Sequence, residues 1–228
     1  MSSQQKTRSS EVKIKGETWQ LLPEKVVYWE KENTLILTDL HLGKAGHFRK
    51  AGIPIPSGVH HADLDCLSQL INQYQVNRVL MLGDLFHSEL NREWLDFCEF
   101  LDLHRQIDFL LVKGNHDILP KEAYHEPNLQ VYDHTLIISP FVFLHHPPEE
   151  KNTRSLYPVS GHIHPGYKVK IKAGQSIKLP CFFIGVEQAI LPAFGKFTGC
   201  VALRKQKKDR VYAIFSDRNT SGVIQIKH

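Results

Sequence analysis

The chain has 228 residues, 42% hydrophobic and 23% charged, which suits one domain with a sizeable core and excludes a disordered or fibrous protein. Twenty-eight Lys and Arg against 24 Asp and Glu leave a net charge of +4, which permits an anionic partner without requiring one. The unusual count is 14 histidines, equal to the glycines, since glycine ordinarily makes up about 7% of residues. No apolar stretch approaches the roughly 18 residues that span a bilayer. The polar, basic start MSSQQKTRSSEVKIKG also lacks the apolar run of a secretory signal, so a cytoplasmic protein away from membranes is expected. The cysteines Cys66, Cys98, Cys181 and Cys200 form no C-x-x-C pair. That spacing argues against a thiolate zinc site or a disulfide framework and leaves buried, reduced thiols.

Residues 1–15 lack periodicity and read as a flexible N-terminal arm ahead of a single domain over 16–228. TWQLLP, VVYWE and the apolar run TLILT follow as strands. After a Gly- and Pro-containing loop over 43–58, Leu64, Leu67, Leu70, Ile71 and Tyr74 mark one face of a helix. RVLMLG is a buried-type strand. Trp94, Phe97, Cys98 and Leu101 mark a second helix, with Ser88 or Asn91 as its N-cap, and IDFLLVKG is the next strand. Strands alternating with helices predict parallel βαβ units. FVFLH, YKVKIK, CFFIG, CVALR and RVYAIF then read as short strands in antiparallel pairing. The cluster Arg204-Lys205-Gln206-Lys207-Lys208-Asp209-Arg210 lies between two of them, as a solvated hairpin loop or a contact for phosphate. Most Trp, Phe and Tyr residues are better read as core than as a platform for stacking bases.

The chemistry gathers where strands end. TLILT runs into Asp39-Leu40-His41; RVLMLG runs into Asp84, with His87 three positions on; IDFLLVKG runs into Asn115-His116-Asp117. His145-His146 follow FVFL directly, and His162 and His164 stand in Gly161-His162-Ile163-His164. In open α/β sheets a ligand crevice lies beyond the carboxyl ends of the strands, so these donors converge on one cleft. A pair of divalent ions about 3.5–4 Å apart needs a bridging carboxylate. Asp84, ending the middle strand, is the natural bridge. Oxygen and imidazole donors without thiolate suit Mn²⁺, Fe or Zn²⁺.

In order, LTDLHLG, LGDLFHS, VKGNHD, FLHHPP and SGHIHP resemble the motifs of the calcineurin-like metallophosphoesterases, over nearly all of the chain beyond residue 16. That resemblance implies a four-layer α-β-β-α sandwich, with two mixed sheets face to face and helices outside. It allots Asp39, His41 and His164 to one metal and Asn115, His145 and His162 to the other, with Mn²⁺ favoured. Of the doublet, His145 comes first after its strand and should reach the cleft while His146 turns away, though His146 remains the alternative ligand. In GNHD the asparagine would ligate metal, His116 would face the leaving group as general acid, and Asp117 would accept its other ring N–H. A water acidified between the metals would attack phosphorus in line. His87 would orient a ligand or contact substrate. Arg49 would clamp a phosphate or sit as a loop cation.

Residues 38–58 and LPAFGKFTG at 191–199 narrow the resemblance to the bacterial ligase-associated DNA damage response phosphodiesterases, also described as endonucleases. Cys200 departs from it, where a second glycine would be expected. It implies a nucleic-acid substrate in DNA repair and an association with an ATP-dependent DNA ligase, a helicase and an exonuclease. Two other readings compete with it. One is hydrolysis of a small phosphodiester, nucleotide or pyrophosphate. The other is a non-catalytic scaffold, which predicts lost ligands where none is missing.

Overall fold

The computed structural model describes residues 6–42, 59–86, 92–148, 156–171, 174–196, 198–217 and 219–227. Arg49, His87, Ser88 and Asn91 lie outside these residues, as does the 43–58 loop. Numbered along the chain, one sheet of ten strands runs β1 (Lys6–Arg8), β17 (Thr220–Gln225), β16 (Arg210–Ser216), β13 (Ser176–Ile184), β14 (Ala189–Ile190), β11 (Tyr157–Ser160), β10 (Phe141–Leu144) and β9 (Thr135–Ile138). Off its middle, β12 (Pro165–Lys170) pairs with β13, and β15 (Val201–Ala202) pairs with β12. The second sheet runs in chain order through β2 (Ser10–Ile14), β3 (Glu17–Leu21), β4 (Val27–Trp29), β5 (Thr34–Leu37), β6 (Arg78–Leu82), β7 (Asp108–Val112) and β8 (Leu129–Tyr132).

The βαβ expectation holds. Strands β5 to β8 are parallel, with α1 (Val59–Tyr74) between β5 and β6 and α2 (Arg92–Leu103) between β6 and β7. Strand alternation explains why these runs are apolar throughout. Leu35, Leu37, Val79, Met81, Phe109 and Leu111 face the helices, where Leu67, Leu70, Ile71, Phe97 and Leu101 cover them. Ile36, Leu80, Leu82, Leu110 and Val112 face the other sheet and meet Phe141, Phe143, Val159, Phe182 and Ile184. Trp19, Trp29 and Phe141 sit at the centre of this second core, with ring centroids 4.6 Å apart for Trp19 and Phe141. Among the described residues both α-helices cover the seven-stranded sheet.

Three expectations need correction. The stretch expected as a flexible arm over 1–15 is strand from Lys6 to Arg8 and from Ser10 to Ile14. In β2, Val12 and Ile14 point inward and are buried while Glu11 and Lys13 point out, a half-buried alternation that the charged residues disguised. β1 pairs with β17 and β2 with β3, so the segment ties the two sheets together. The second half is mixed rather than antiparallel, because β10 and β14 both run parallel to β11. Residues 204–210 are not a hairpin loop either. β15 pairs with β12 and β16 with β13 and β17, so the basic stretch crosses between separate parts of the sheet.

Candidate active site

The strand ends of both sheets meet at one edge of the sandwich. From β5 the chain reaches Asp39 and His41, from β6 Asp84, from β7 Asn115 to Asp117, from β10 His145, and from β11 His162 and His164. Asp39, His41, Asp84, His162 and His164 all have left-handed backbone, with φ between 50° and 63°. That region is uncommon for residues with a Cβ and is held only where the surroundings fix it. Here the fixing bonds run between the loops: Asp39 N–H to Gly83 O at 3.1 Å, His41 N–H to Asp84 O at 2.9 Å and Gly161 N–H to His145 O at 3.1 Å.

Two glycines make room for this convergence. A Cβ on Gly83, whose φ is 77°, would fall 2.6 Å from His145 Cγ. A Cβ on Gly161 would collide with the Thr38 hydroxyl and come 2.5 Å from Asp39 Oδ2.

Around Asp39, His164 Nε2 stands 3.1 Å and His41 Nε2 4.0 Å from Oδ1, while Oδ2 accepts the His162 backbone N–H at 3.0 Å and the Thr38 hydroxyl at 2.6 Å. Asp84 lies between two groups. Its Oδ1 is 3.4 Å from His145 Nε2 and accepts the His116 backbone N–H at 3.0 Å, and its Oδ2 is 3.9 Å from His41 Nε2. His145 Nε2 is in turn 3.3 Å from Asn115 Oδ1 and 3.1 Å from His162 Nδ1. The other ring nitrogen of His145 bonds the Leu82 carbonyl at 2.9 Å, which orients Nε2 into the cleft.

Asp39, His41, Asp84 and His145 are all buried. Burial works to raise both carboxyls, but the neighbouring imidazoles hold them below the usual range: His164, with the Thr38 hydroxyl, for Asp39, and His145 for Asp84. Burial and neighbouring imidazoles lower His162 and His146, which favours neutral rings able to donate lone pairs.

Each expected residue within the described structure can be placed. Asp39, His41, Asp84, Asn115, His145, His162 and His164 come together as the motif order suggested. His116 stands at the edge of this group, its ring centroid 5.8 Å from that of His41. Of the doublet, His145 points inward and His146 is exposed, yet His146 does not simply turn away. Its ring centroid is 4.0 Å from that of His162, and His145, His146 and His162 form one of the groups able to hold a cation.

Asp117 departs from expectation. Its Oδ1 accepts the N–H groups of Leu85 and Phe86 at 2.9 and 3.2 Å, and its Oδ2 accepts that of Gly114 at 2.8 Å. These backbone donors draw the carboxylate beneath the loop, so it does not bond the His116 ring. Burial pushes its pKa up to about 6 against those hydrogen bonds. It holds the two loops together. Thr38 was missed: its hydroxyl lies 2.9 Å from Leu82 O as well as beside Asp39, and the only signal was a polar residue ending an apolar run.

The likeness to known proteins follows this geometry. A family model described as calcineurin-like phosphoesterase matches residues 33–187, more than half of the chain. The chain belongs to the calcineurin-like phosphoesterase family. The sandwich and the class of enzyme expected from the motifs are those of this family, so this calcineurin-like chain is a metal-dependent phosphoesterase. The crystal structure of the Pseudomonas putida nuclease MPE is similar at a TM-score of 0.76 and 25% identity, covering 90% of this chain and 96% of that one. Yfce, a phosphoesterase from E. coli, is similar at 13% identity and a TM-score of 0.43, covering 85% of this chain and 97% of that one. No curated protein sequence matches the chain.

The family implies divalent metal ions, and the residues fit them. Asp39 Oδ1 and His164 Nε2 face each other at 3.1 Å, both atoms are buried, and neither has a hydrogen bond of proper geometry. Buried polar atoms normally find partners. An acceptor oxygen and a ring nitrogen left aimed at one point suit a cation between them. Asp39, His41 and His164 form one candidate group, and Asp39, Asp84 and His145 another.

Proposed function

We propose that this enzyme hydrolyses phosphodiester bonds of nucleic acid, with two divalent cations held on either side of Asp84. The observation that carries this reading is the position of Asp84, whose two oxygens face His145 and His41 in two different groups of donors. Asp39, His41 and His164 would hold one ion, and Asn115, His145 and His162 the other, with Asp84 shared. Oxygen and imidazole donors without thiolate suit Mn²⁺, Fe or Zn²⁺, and the resemblance of the motifs favours Mn²⁺ among them. Bound there, the ions supply Lewis-acid charge to phosphoryl oxygens and acidify water.

The chain's own residues then have separate tasks. Asp84 and Asp39 set the negative charge that the cations need, and Thr38 and the His162 N–H orient Asp39. The Leu82 carbonyl fixes the tautomer of His145. His116, half-buried beside His41, protonates the departing alkoxide. Asp117 keeps the His116 loop against the Asp84 loop through its three backbone bonds. The likeness to a nuclease of similar length supports nucleic acid as the substrate class. The motif blocks at 38–58 and 191–199 support a place in DNA repair, in association with an ATP-dependent ligase, a helicase and an exonuclease.

The test offers the purified protein with Mn²⁺ a bis-aryl phosphate, a mono-aryl phosphate, nucleotides, and single- and double-stranded DNA and RNA. Hydrolysis of the bis-aryl phosphate and of DNA is expected. Activity confined to monoesters would overturn the reading.

A further inference from the structure

The hairpin leading away from His164 carries uncompensated charge. β12 begins at the residue after His164, and the Val201 N–H at the start of β15 bonds back to His164 O at 2.9 Å, so this small sheet is rooted at the site. The β12–β13 register sets Lys168 directly opposite Lys178. Lys170, two residues beyond Lys168, shares their face by strand alternation. All three are exposed, and no described carboxylate forms an ion pair with any of them. Like charges directly opposite on a ladder are destabilising. The fold gains nothing from this arrangement, whereas a polyanion laid along the face would neutralise it.

The spacing suits a polymer. At about 3.3 Å per residue, Lys168 and Lys170 lie roughly 13 and 20 Å along the strand from His164. At about 3.4 Å per nucleotide, that is the reach of about four to six nucleotides of a stacked strand. We propose that the lysine face of the β12–β13 hairpin binds the phosphate backbone of a nucleic-acid strand flanking the diester at the active site. This rests on the nuclease reading above and names the surface that carries its substrate. Contacts of this kind position a strand without reading its sequence. Proximity to the site favours a nucleic-acid strand over a membrane surface as the polyanion.

The test compares the Mn²⁺-loaded wild type with the triple variant Lys168→Gln, Lys170→Gln, Lys178→Gln on a single-stranded oligodeoxynucleotide and on a bis-aryl phosphate. The variant should raise KM for the oligonucleotide about tenfold or more. The slope of log kcat/KM against log salt, between about 50 and 200 mM, should flatten by about 2, at about 0.7 per phosphate contact. Turnover of the bis-aryl phosphate and the oligonucleotide kcat should stay unchanged. Because the substitutions remove a repulsion, Tm should hold or rise. Lys168→Glu, which can pair across the strands with Lys178, should raise Tm while raising KM for the oligonucleotide.

If wild type and variants cleave the oligonucleotide with equal KM and salt slope, the hairpin assignment fails and the nuclease reading stands. If the wild type hydrolyses the bis-aryl phosphate but no nucleic acid, both fail. Loss of binding to phosphatidylserine vesicles in Lys168→Glu, with oligonucleotide KM unchanged, would reassign the face to a membrane and overturn the proposal.

Discussion

The Thr38 hydroxyl stands 2.6 Å from Asp39 Oδ2, and both residues are fully buried at the end of β5. One oxygen of the carboxylate is thereby held by the chain while the other is turned toward His164. Thr38→Val keeps the shape and removes the hydroxyl. Losing the partner of a buried group costs about 1–3 kcal/mol, and losing a hydrogen bond behind a metal ligand typically lowers metal affinity about 10- to 100-fold. Mn²⁺ titration of activity should show that weakening, with a lower Tm. An unchanged Mn²⁺ titration would show that Asp39 needs no such orientation.

Among the described residues, His116 belongs to none of the candidate cation groups that Asp39, His41, Asp84, His145, His162 and His164 form. His116→Ala should therefore retain its Mn²⁺ while turnover falls by about 10²- to 10⁴-fold, the usual scale for a general acid. The loss should be larger for DNA than for an aryl diester, whose leaving group needs less protonation. Metal analysis and turnover on both substrates check this. Equal losses on both, with metal gone, would make His116 a ligand instead.

The buried carboxylates Asp39 and Asp84 need a counter-charge, so chelation should destabilise the fold. Each ion bound to the native state alone adds about 2.7 kcal/mol at a hundredfold excess over its Kd. EDTA should lower Tm and added Mn²⁺ should restore it. Asp84→Ala should abolish turnover and show little of this response. A Tm indifferent to EDTA and Mn²⁺ in the wild type would contradict buried sites for cations.

Cys66, on α1, offers a pH test away from the site. Burial, and then the nearby charge of Glu24, push its thiol up to about 11 from an ordinary 9.0. The unfolded chain therefore releases this proton first. The contribution is fully present below about pH 9 and is lost as pH rises from there toward 11. Urea unfolding at rising pH should show stability falling across that window, and Cys66→Ala should flatten the fall. The wild-type thiol should also react slowly with alkylating reagents at pH 8. Rapid alkylation of folded protein would contradict the burial.

Much of this was legible because two physical signals are strong. Strands buried on both faces read as apolar runs, so β5, β6 and β7 and the donors at their ends could be found directly. The helices showed their covering face, through residues such as Leu67 and Phe97, at helical spacing. β2 was not legible, because Glu11 and Lys13 mask the inward Val12 and Ile14. Pairing in the second half depends on which distant strands meet, and no local pattern says that β11 lies between β10 and β14. The motif order named residues that the fold gathers in one place, but it paired the His116 ring with Asp117. Its neighbour in sequence is His116, whereas its hydrogen-bond partners lie on the backbone of two loops. Nor does a sequence announce that Asp39, His41, Asp84, His162 and His164 take left-handed backbone, a conformation disfavoured for those residues unless the fold imposes it.

The central claim is that Asp84 lies between two cations. An anomalous difference map from crystals of the Mn²⁺-loaded protein tests it directly. Two peaks about 3.5–4 Å apart, each within bonding distance of one Asp84 oxygen, are predicted. A single peak, or a pair of peaks that Asp84 does not touch, would contradict the account.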